Sequence, residues 1–495
     1  EGRGIGKTDR TTIVVGPVWA RIDGPASVVA AASDVLTVFN PAAEHTHAFR
    51  SGRWDGTEKF LKKPKNEFLA GLTWKVSWGL VARGFEKPKI TWPPAADLEP
   101  LAPGLAGLEW REYQLAAVEK AVRARRMCLQ CPTRGGKTEI AMEFIRRVGR
   151  KTLWLTHTKQ RLEQTPERFR TRLGIDPGIV GGPRRTDGIV VVGMVQTLSR
   201  LLPESKEFFH QFGCLVIDEA HHAGADTWQA VAQACSSADY RLGLSGTMET
   251  GDPIANLKIE GALGPTHTVA TTMDLAHLGF LARPRVVLLS APWTTYPSYA
   301  EVREVVCPSW RENPRRLSTL GTSLYREAYD RGVVFNTARN TAAAGAAVRH
   351  ASAGERFLVL CDRVRHATIL AKLIEDLLPK RCRAFFLDGE AGRDERASTL
   401  AAFKKARGGA VLVATPFFRE GVDAPEIDAG LLAGAGESSV SVLQALGRML
   451  TVRPDKKEVL IYDFLDGHDR GKKDYLANHS RERLALYRKH GFEIT

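Results

Sequence analysis

Short apolar runs recur along the chain, and between them the apolar positions fall at helical spacing. Arg126-Met127-Cys128-Leu129-Gln130, Thr152-Leu153-Trp154-Leu155, Ile189-Val190-Val191-Val192, Cys214-Leu215-Val216-Ile217 and Tyr240-Arg241-Leu242-Gly243-Leu244 are nearly continuous in apolar character. Such runs predict strands of a parallel sheet covered on both faces. The segment Glu139-Ile140-Ala141-Met142-Glu143-Phe144-Ile145 is amphipathic at helical period and predicts one of the covering helices. A second series follows, with Phe357–Leu360, Arg383–Leu387, Ala410–Ala414 and Glu458–Tyr462 as its strands. The expected fold class is therefore α/β, with two tandem parallel-sheet domains. Before them, Thr12–Val15 and Val35–Phe39 predict the strands of a small α+β domain, and Trp92-Pro93-Pro94 through Pro100 and Pro103 predict a linker. The expected organisation is residues 1–95, a Pro-rich linker at 96–106, a first α/β domain at 107–295 and a second at 296–495.

Two motifs give the first α/β domain its chemistry. Cys131-Pro132-Thr133-Arg134-Gly135-Gly136-Lys137-Thr138 joins a predicted strand to a predicted helix. Its backbone N–H groups and the helix N-terminus suit phosphate oxygens, Lys137 suits the β and γ phosphates, and the Thr138 hydroxyl suits Mg²⁺. Cys131 stands where the strict pattern has its first glycine. Leu215-Val216-Ile217-Asp218-Glu219-Ala220-His221-His222 ends an apolar strand in two carboxylates. Asp218 is expected to hold the metal and Glu219 to activate the attacking water. ATP with Mg²⁺ is the expected cofactor. The second series has no such loop, and Gly2-Arg3-Gly4-Ile5-Gly6-Lys7-Thr8 lacks a preceding strand and is read as a flexible terminus.

The bulk numbers narrow the partners. A net charge of +14 spread along 495 residues favours a polyanion, nucleic acid first. Near the start, Phe49-Arg50-Ser51-Gly52-Arg53-Trp54 and Phe60-Leu61-Lys62-Lys63-Pro64-Lys65 interleave basic and aromatic residues. Arg50, Arg53, Lys62 and Lys63 suit a surface that follows a phosphate backbone, although a solvated hairpin with one core Trp fits the same pattern. Seven scattered cysteines suggest reduced thiols, and Cys128-x-x-Cys131 has no second pair to make a zinc site. No apolar run is long enough to span a bilayer, and no signal peptide is read. The chain opens on Glu1, so its start is expected to be processed or internal to a longer protein.

From Leu108 onward the chain resembles the superfamily-two helicases of DEAH-box type. Trp110-Arg111-Glu112-Tyr113-Gln114, the phosphate loop, Leu155-Thr156-His157-Thr158, Val195-Gln196-Thr197-Leu198, Asp218-Glu219-Ala220-His221 and Gly243-Leu244-Ser245-Gly246-Thr247 follow the family's motifs in order. So do Cys361–His366, Ala414-Thr415-Pro416 with Glu420-Gly421-Val422-Asp423, and Gln444-Ala445-Leu446-Gly447-Arg448. The resemblance implies two RecA-like domains that hydrolyse ATP. Arg111, Gln114, Gly421 and Asp423 would join the loop residues Pro132–Thr138 in binding ATP. Thr156, Gln196, Thr197 and Thr415 would grip one nucleic-acid strand, and His221, Ser245 and Thr247 would couple hydrolysis to that grip. Gln444 and Arg448 would complete the catalytic set. The family's next arginine falls at Thr451, with Arg453 two residues on, so the finger is Arg448 alone or Arg453 from a shifted loop.

Arg21-Ile22-Asp23, Phe39-Asn40-Pro41, the Phe49–Gly56 segment, Asn336 and Arg339-Asn340 further resemble phage recombination helicases. That implies an ATP-dependent enzyme that unwinds or remodels branched DNA during recombination, repair or replication. The expected partner is single-stranded, forked or branched DNA, with an RNA–DNA hybrid as the alternative. It would act as a monomer in a bacterial or phage-infected host cytoplasm, away from membranes. Trp74, Trp78 and Trp92 are expected to pack the N-terminal region, and Tyr487 and Phe492 to form a docking face.

Overall fold

The computed structural model describes residues 10–94, 97–309, 320–415, 427–434, 436, 442–443, 446–447, 449–452, 456–467 and 474–495. The chain forms two compact units that divide between Ala270 and Thr271.

The first unit is built on an eight-stranded sheet. In spatial order its strands are Arg184–Arg185, Gly178–Gly181, Val190–Met194, Thr152–Thr156, Cys214–Asp218, Tyr240–Ser245, Arg126–Gln130 and Thr266–Thr268. All pairs are parallel except that of Arg184–Arg185 with Gly178–Gly181. The central strands are buried along their whole length, as their uninterrupted apolar runs require. Two apolar layers result, one on each face. One gathers Leu153, Leu155, Val191, Leu215 and Ile217, and the other Leu129, Trp154, Val192, Val216 and Leu242. The helix Lys137–Val148 covers the second layer with Ile140, Met142, Phe144, Ile145 and Val148.

The N-terminal region is a four-stranded sheet in the order Glu67–Leu69, Trp19–Asp23, Thr12–Val15, Lys89–Thr91. Val28 and Ala32 of the helix Ala26–Val35, with Val76 and Leu80 of the helix Thr73–Val81, cover its inner face. This domain is not held off by a linker. Its Leu69 and Gly71 lie against the helix Pro253–Leu263, where a Cβ on Gly71 would fall 2.0 Å from the Glu260 carbonyl oxygen. Lys75 pairs with Glu260 at 3.0 Å. The buried Arg126 guanidinium donates to the carbonyls of Gly16 (3.3 Å) and Pro17 (3.1 Å). Arg126 begins its strand, so the N-terminal domain docks at the amino ends of the sheet and leaves the carboxyl edge clear.

The Pro-rich stretch is likewise strapped down. Leu101 N–H donates to the Arg146 carbonyl at 3.0 Å, and the Arg146 side chain donates back to the Ala102 carbonyl at 2.8 Å. Arg125 bonds the Pro93 carbonyl and Arg172 the Ala106 and Gly107 carbonyls. Gly149, at φ +64°, has no side chain because a Cβ would fall 1.8 Å from the Glu99 carbonyl. Prolines mark an irregular path here, but the backbone polar groups along it are satisfied by the domain's own arginines.

The second unit carries a seven-stranded, all-parallel sheet. Its order is Arg383–Leu387, Ala410–Ala414, Arg356–Leu360, Ala429–Leu432, Glu458–Phe464, Arg283–Leu289, Glu493–Ile494. Because Arg283–Leu289 pairs with Glu458–Phe464, the division falls ahead of the 295/296 boundary read from the sequence. Buried charges lock this unit. Arg339 Nε donates to Asp466 Oδ1 at 2.7 Å, and Arg483 Nε to Asp463 Oδ2 at 2.9 Å. Tyr296 and Tyr487 donate their hydroxyls to Asp466 (2.9 Å) and Asp463 (2.6 Å). Burial works to raise the Asp466 carboxyl, but Arg339 and then Arg483 outweigh it and hold it below the usual range. Tyr487 and Phe492 thus fix the last helix, Tyr475–Lys489, from within: both are buried and their rings stack.

Removing one partner of a buried ion pair typically costs about 3–5 kcal/mol. Asp466→Asn is expected to lose stability of that order in urea denaturation, because Arg339 and Asp466 are both fully buried. A change within the range of surface substitutions would mean that this network does not hold the unit.

Candidate nucleotide and nucleic-acid site

Parallel strands collect their following loops at one edge, where open α/β sheets bind ligands. At that edge of the first unit the strand Arg126–Gln130 runs into the phosphate-loop segment, followed by the helix Lys137–Val148. Gly136 sits at φ +84°, and a Cβ there would fall 2.0 Å from Gln114 Nε2. Gln114 Oε1 accepts the Arg111 N–H at 3.1 Å, so one buried amide caps the helix Glu112–Ala124 and backs the loop. Arg111 in turn donates to the Tyr113 hydroxyl at 2.9 Å. Cys131 is fully buried and its N–H donates to the Ser245 carbonyl at 2.9 Å. Burial pushes its thiol up to about 11, so the residue that replaces glycine acts as a small apolar filler. Lys137 Nζ donates to the Cys131 carbonyl at 3.0 Å, which folds it over its own loop.

The strand Cys214–Asp218, separated from Arg126–Gln130 by Tyr240–Ser245, ends at the same edge of the sheet. Asp218 and Glu219 are 6% and 7% exposed, and Glu219 adopts a left-handed backbone at φ +53°. That turn aims both carboxylates toward one place. Arg161, on the helix Lys159–Leu173, donates one guanidinium nitrogen to Asp218 Oδ2 and another to Glu219 Oε1. Burial opposes the Arg161 charge, but the two carboxylates outweigh that and raise its pKa. Arg168, two turns along the same helix, donates to Thr138 Oγ1 at 3.0 Å. Glu219 Oε2 is buried without a hydrogen-bond partner among the described residues. The Thr138 hydroxyl and the Asp218 and Glu219 carboxylates offer oxygen donors only, which suits a hard divalent cation such as Mg²⁺.

A relay connects the carboxylates to the next strand. His221 Nδ1 lies 3.6 Å from Glu219 Oε2 and 2.8 Å from Ser245 Oγ. Ser245 gives its proton to the Thr247 carbonyl at 2.6 Å, so it receives from His221 Nδ1–H. Burial, then the neighbouring His222 and His157, push His221 down to about 3, which keeps the ring neutral. His222 packs between His157, His221 and Trp228. Among the described residues no group of three or more His, Cys, Asp and Glu is placed to hold a metal ion.

The strand-grip residues divide. Gln196 is exposed and donates to the His157 carbonyl at 3.5 Å, and Thr197 accepts the Gly182 N–H at 3.4 Å. Thr156 and Thr415, expected to grip the strand, are 0% and 2% exposed. Thr156 ends the strand Thr152–Thr156 and Thr415 follows the strand Ala410–Ala414, and both strands are covered on both faces. The residue that reaches outward after the first of them is Thr158, which caps the helix Lys159–Leu173 by accepting the Arg161 N–H at 3.3 Å. Gln444, Arg448, Arg453, Gly421 and Asp423 lie outside the described residues.

On the N-terminal domain Arg50, Arg53, Lys62 and Lys63 are all exposed. Arg50 bonds the Glu44 carbonyl, Arg53 bonds Ser51 Oγ, and Lys62 stands 4.0 Å over the Trp19 ring. Trp54 is half-buried and donates its indole N–H to the Thr57 carbonyl at 2.9 Å, so it closes a turn and does not offer a free face. Trp74 packs between Trp78 and Trp92, but Trp78 is 61% exposed, against the expectation that it packs inside. Sequence reasoning missed Arg161 and Arg168. Their helix also carries Lys159, Arg170 and Arg172, and nothing in its pattern singles out two of five bases.

Residues 107–250 match the family model for the type III restriction enzyme res subunit, and residues 340–452 match the helicase conserved C-terminal domain. The fold is that of a superfamily-two helicase, and the chain is an ATP-hydrolysing enzyme of that class. It resembles the ATP-dependent DNA helicase uvsW of Enterobacteria phage T4, with 24% identity over 400 residues that cover 77% of this chain and 73% of that protein. The DNA 3'-5' translocase XPB2 of Sulfurisphaera tokodaii is 26% identical over 389 residues, 76% of this chain and 84% of that one. A solved structure of the ATP-dependent Type ISP restriction-modification enzyme LlaBIII bound to DNA shares the fold. Its TM-score is 0.52 at 15% identity, over 77% of this chain and 30% of that one.

At Gly136 a methyl group would meet the buried Gln114 amide, and φ +84° disfavours any L side chain. Gly136→Ala is expected to raise the KM for ATP at least several-fold while leaving the thermal midpoint of the protein within a few degrees. An unchanged KM would mean that the loop does not set nucleotide affinity.

Proposed function

We propose that this enzyme couples ATP hydrolysis to movement on DNA, unwinding or remodelling branched DNA. The observation that carries this is the carboxyl edge of the first unit. There the phosphate loop, the carboxylates Asp218 and Glu219, the relay His221–Ser245–Thr247, the exposed Gln196 and the half-buried Thr197 stand beyond the carboxyl ends of strands of one sheet. A polyanion is favoured by the +14 charge. DNA in particular is supported by the relatives, which are named as a DNA helicase and a DNA translocase.

In this reading the loop N–H groups and Lys137 bind the phosphates, and Thr138 and Asp218 hold the metal. Mg²⁺ supplies charge neutralisation at the β and γ phosphates when bound. Glu219 orients and deprotonates the attacking water, and its partnerless Oε2 is suited to accept that proton. Arg111 and Gln114 border the base end of the loop, and Gly421 and Asp423 would complete the nucleotide contacts. Gln444 and Arg448 would supply the remaining polar groups at the γ-phosphate, with Arg453 auxiliary because it is out of the motif's register. Ser245 and Thr247 report the state of Glu219 through His221 to the edge that grips the strand. Contacts to phosphate position without reading sequence, so the motor is indifferent to base identity. The two α/β domains open and close on one strand, and the enzyme works as a monomer on DNA in the cytoplasm. Among the described residues no helix is long and apolar enough to cross a membrane.

Steady-state ATPase assays with single-stranded DNA, duplex, forks, four-way junctions and RNA, at one salt concentration, test this directly. Lys137→Ala and Glu219→Gln are expected to abolish turnover, with Glu219→Gln still binding nucleotide. Arg448→Ala is expected to lose roughly a thousandfold, as fingers typically do, and Arg453→Ala much less. Full turnover in Lys137→Ala would sink the site assignment, and stimulation by RNA above every DNA would favour an RNA or RNA–DNA hybrid helicase instead.

The exposed bases of the N-terminal domain are read as recruiting duplex or branched DNA. Charge reversal tests this better than truncation, because removing the domain would expose the buried Arg126 and Leu257. Lys62→Glu with Lys63→Glu is expected to flatten the log–log salt dependence of junction binding by roughly one unit per lost phosphate contact, with ATPase on saturating single strands retained. An unaltered slope would leave this face without a DNA role.

A further inference from the structure

The three side chains assigned to the metal and the water share one feature. Asp218 and Glu219 are bridged by Arg161, and Thr138 accepts from Arg168. Both arginines belong to the helix Lys159–Leu173, and seven residues bring them to one face two turns apart. Their partners lie on two other elements, the strand end at Asp218–Glu219 and the helix start at Thr138. One helix thus covers the metal side of the site with two guanidinium groups.

The same helix begins at the strand-grip edge. Thr158 caps it, and His157, one residue earlier, offers its carbonyl to Gln196. Any displacement of the Thr158 end that accompanies strand binding moves Arg161, which lies within the first turn.

Charge makes the choice between occupants explicit. Two adjacent carboxylates, each more than nine-tenths buried, carry two negative charges and need positive charge nearby. Arg161 supplies one such charge and Mg²⁺ would supply two at the same oxygens. A guanidinium that forks across both carboxylates cannot stay there while a metal shares Asp218. We propose that Arg161, seconded by Arg168, is a positioning residue that competes with Mg²⁺ for the Asp218–Glu219 pair. It sets the metal requirement of the enzyme and restrains hydrolysis until nucleic acid draws the helix start away. The inference rests on the assignment of Thr138, Asp218 and Glu219 given above.

The test is binding of a fluorescent non-hydrolysable ATP analogue titrated with Mg²⁺, without DNA, on the full chain. Arg161→Leu is expected to lower the half-saturating Mg²⁺ several-fold and to raise the DNA-free ATPase rate, which reduces the stimulation by DNA. Arg161→Lys keeps the charge but loses the fork, and is expected to fall between Leu and wild type. An unchanged or higher Mg²⁺ requirement in Arg161→Leu overturns the proposal. If that variant does not fold, Arg168→Ala decides, with a smaller shift in the same direction supporting the proposal and none overturning it. Lys137→Ala separates the two failures. If it still hydrolyses ATP, the site assignment is wrong. If it is inactive and the Arg161 variants keep the wild-type Mg²⁺ requirement, only the role of Arg161 is lost.

Discussion

Two carboxylates side by side at the end of a buried strand are the constraint around which the first unit is arranged. Asp218 completes the central strand Cys214–Asp218, and Glu219 turns away through a left-handed backbone, so neither can retreat to solvent. Burying such charge is unfavourable unless positive charge comes to it. The surrounding elements meet that need. Arg161 forks across the pair, His221 stays neutral beside it, and the loop with Lys137 and the helix N-terminus follows the strand Arg126–Gln130, one strand removed at the same edge. The same concentration of charge that suits a metal and a phosphate therefore dictates which helices and loops can be neighbours.

The opposite end of that sheet is settled by a different use of arginine. Arg241 is fully buried and donates to the carbonyls of Ala232, Cys235, Ala238 and Ala262. Arg126, on the adjacent strand, is lowered to about 9 by burial and by Arg241 next to it, and turns to the carbonyls of Gly16 and Pro17. Backbone carbonyls of the N-terminal domain thus complete a polar layer that the motor fold leaves open. This explains why the domain packs on the amino ends of the strands. It also places the exposed bases around Arg50, Arg53 and Lys62 in the same compact unit as the strand that ends in Asp218.

In the second unit the residues that carry the resemblance to phage recombination helicases are architectural. Asn336 caps the helix Thr337–Ser352, Arg339 is sealed against Asp466 and over the Phe464 ring, and Asn340 bonds the Val334 carbonyl and His366. Burial first, then Arg339, lowers His366 to about 3, so it serves as a neutral hydrogen-bonding group. A polar network of this density costs desolvation and is tolerated because nearly every member is paired.

The sequence by itself determined the α/β class, most of the central strands, the phosphate loop and the carboxylate pair. Those features are encoded locally: a buried parallel strand needs an unbroken apolar run, and a phosphate loop needs glycine and lysine at fixed offsets. Only the tertiary structure decided the rest. Strand Arg283–Leu289 opens on Arg283-Pro284-Arg285, which breaks its apolar run, and its place in the second sheet is set by pairing with Glu458–Phe464. The Pro-rich stretch became a strap because Arg146 and Arg172, distant in sequence, satisfy its carbonyls. Thr156 and Thr415 are buried because the strands they end or follow are covered on both faces by the rest of the fold. The two arginines on the metal side, Arg161 and Arg168, could not be told from their neighbours until the fold brought one face of their helix against Asp218, Glu219 and Thr138. Periodicity is a property of a segment, whereas the partner of a long charged side chain is a property of whatever the fold places within its reach.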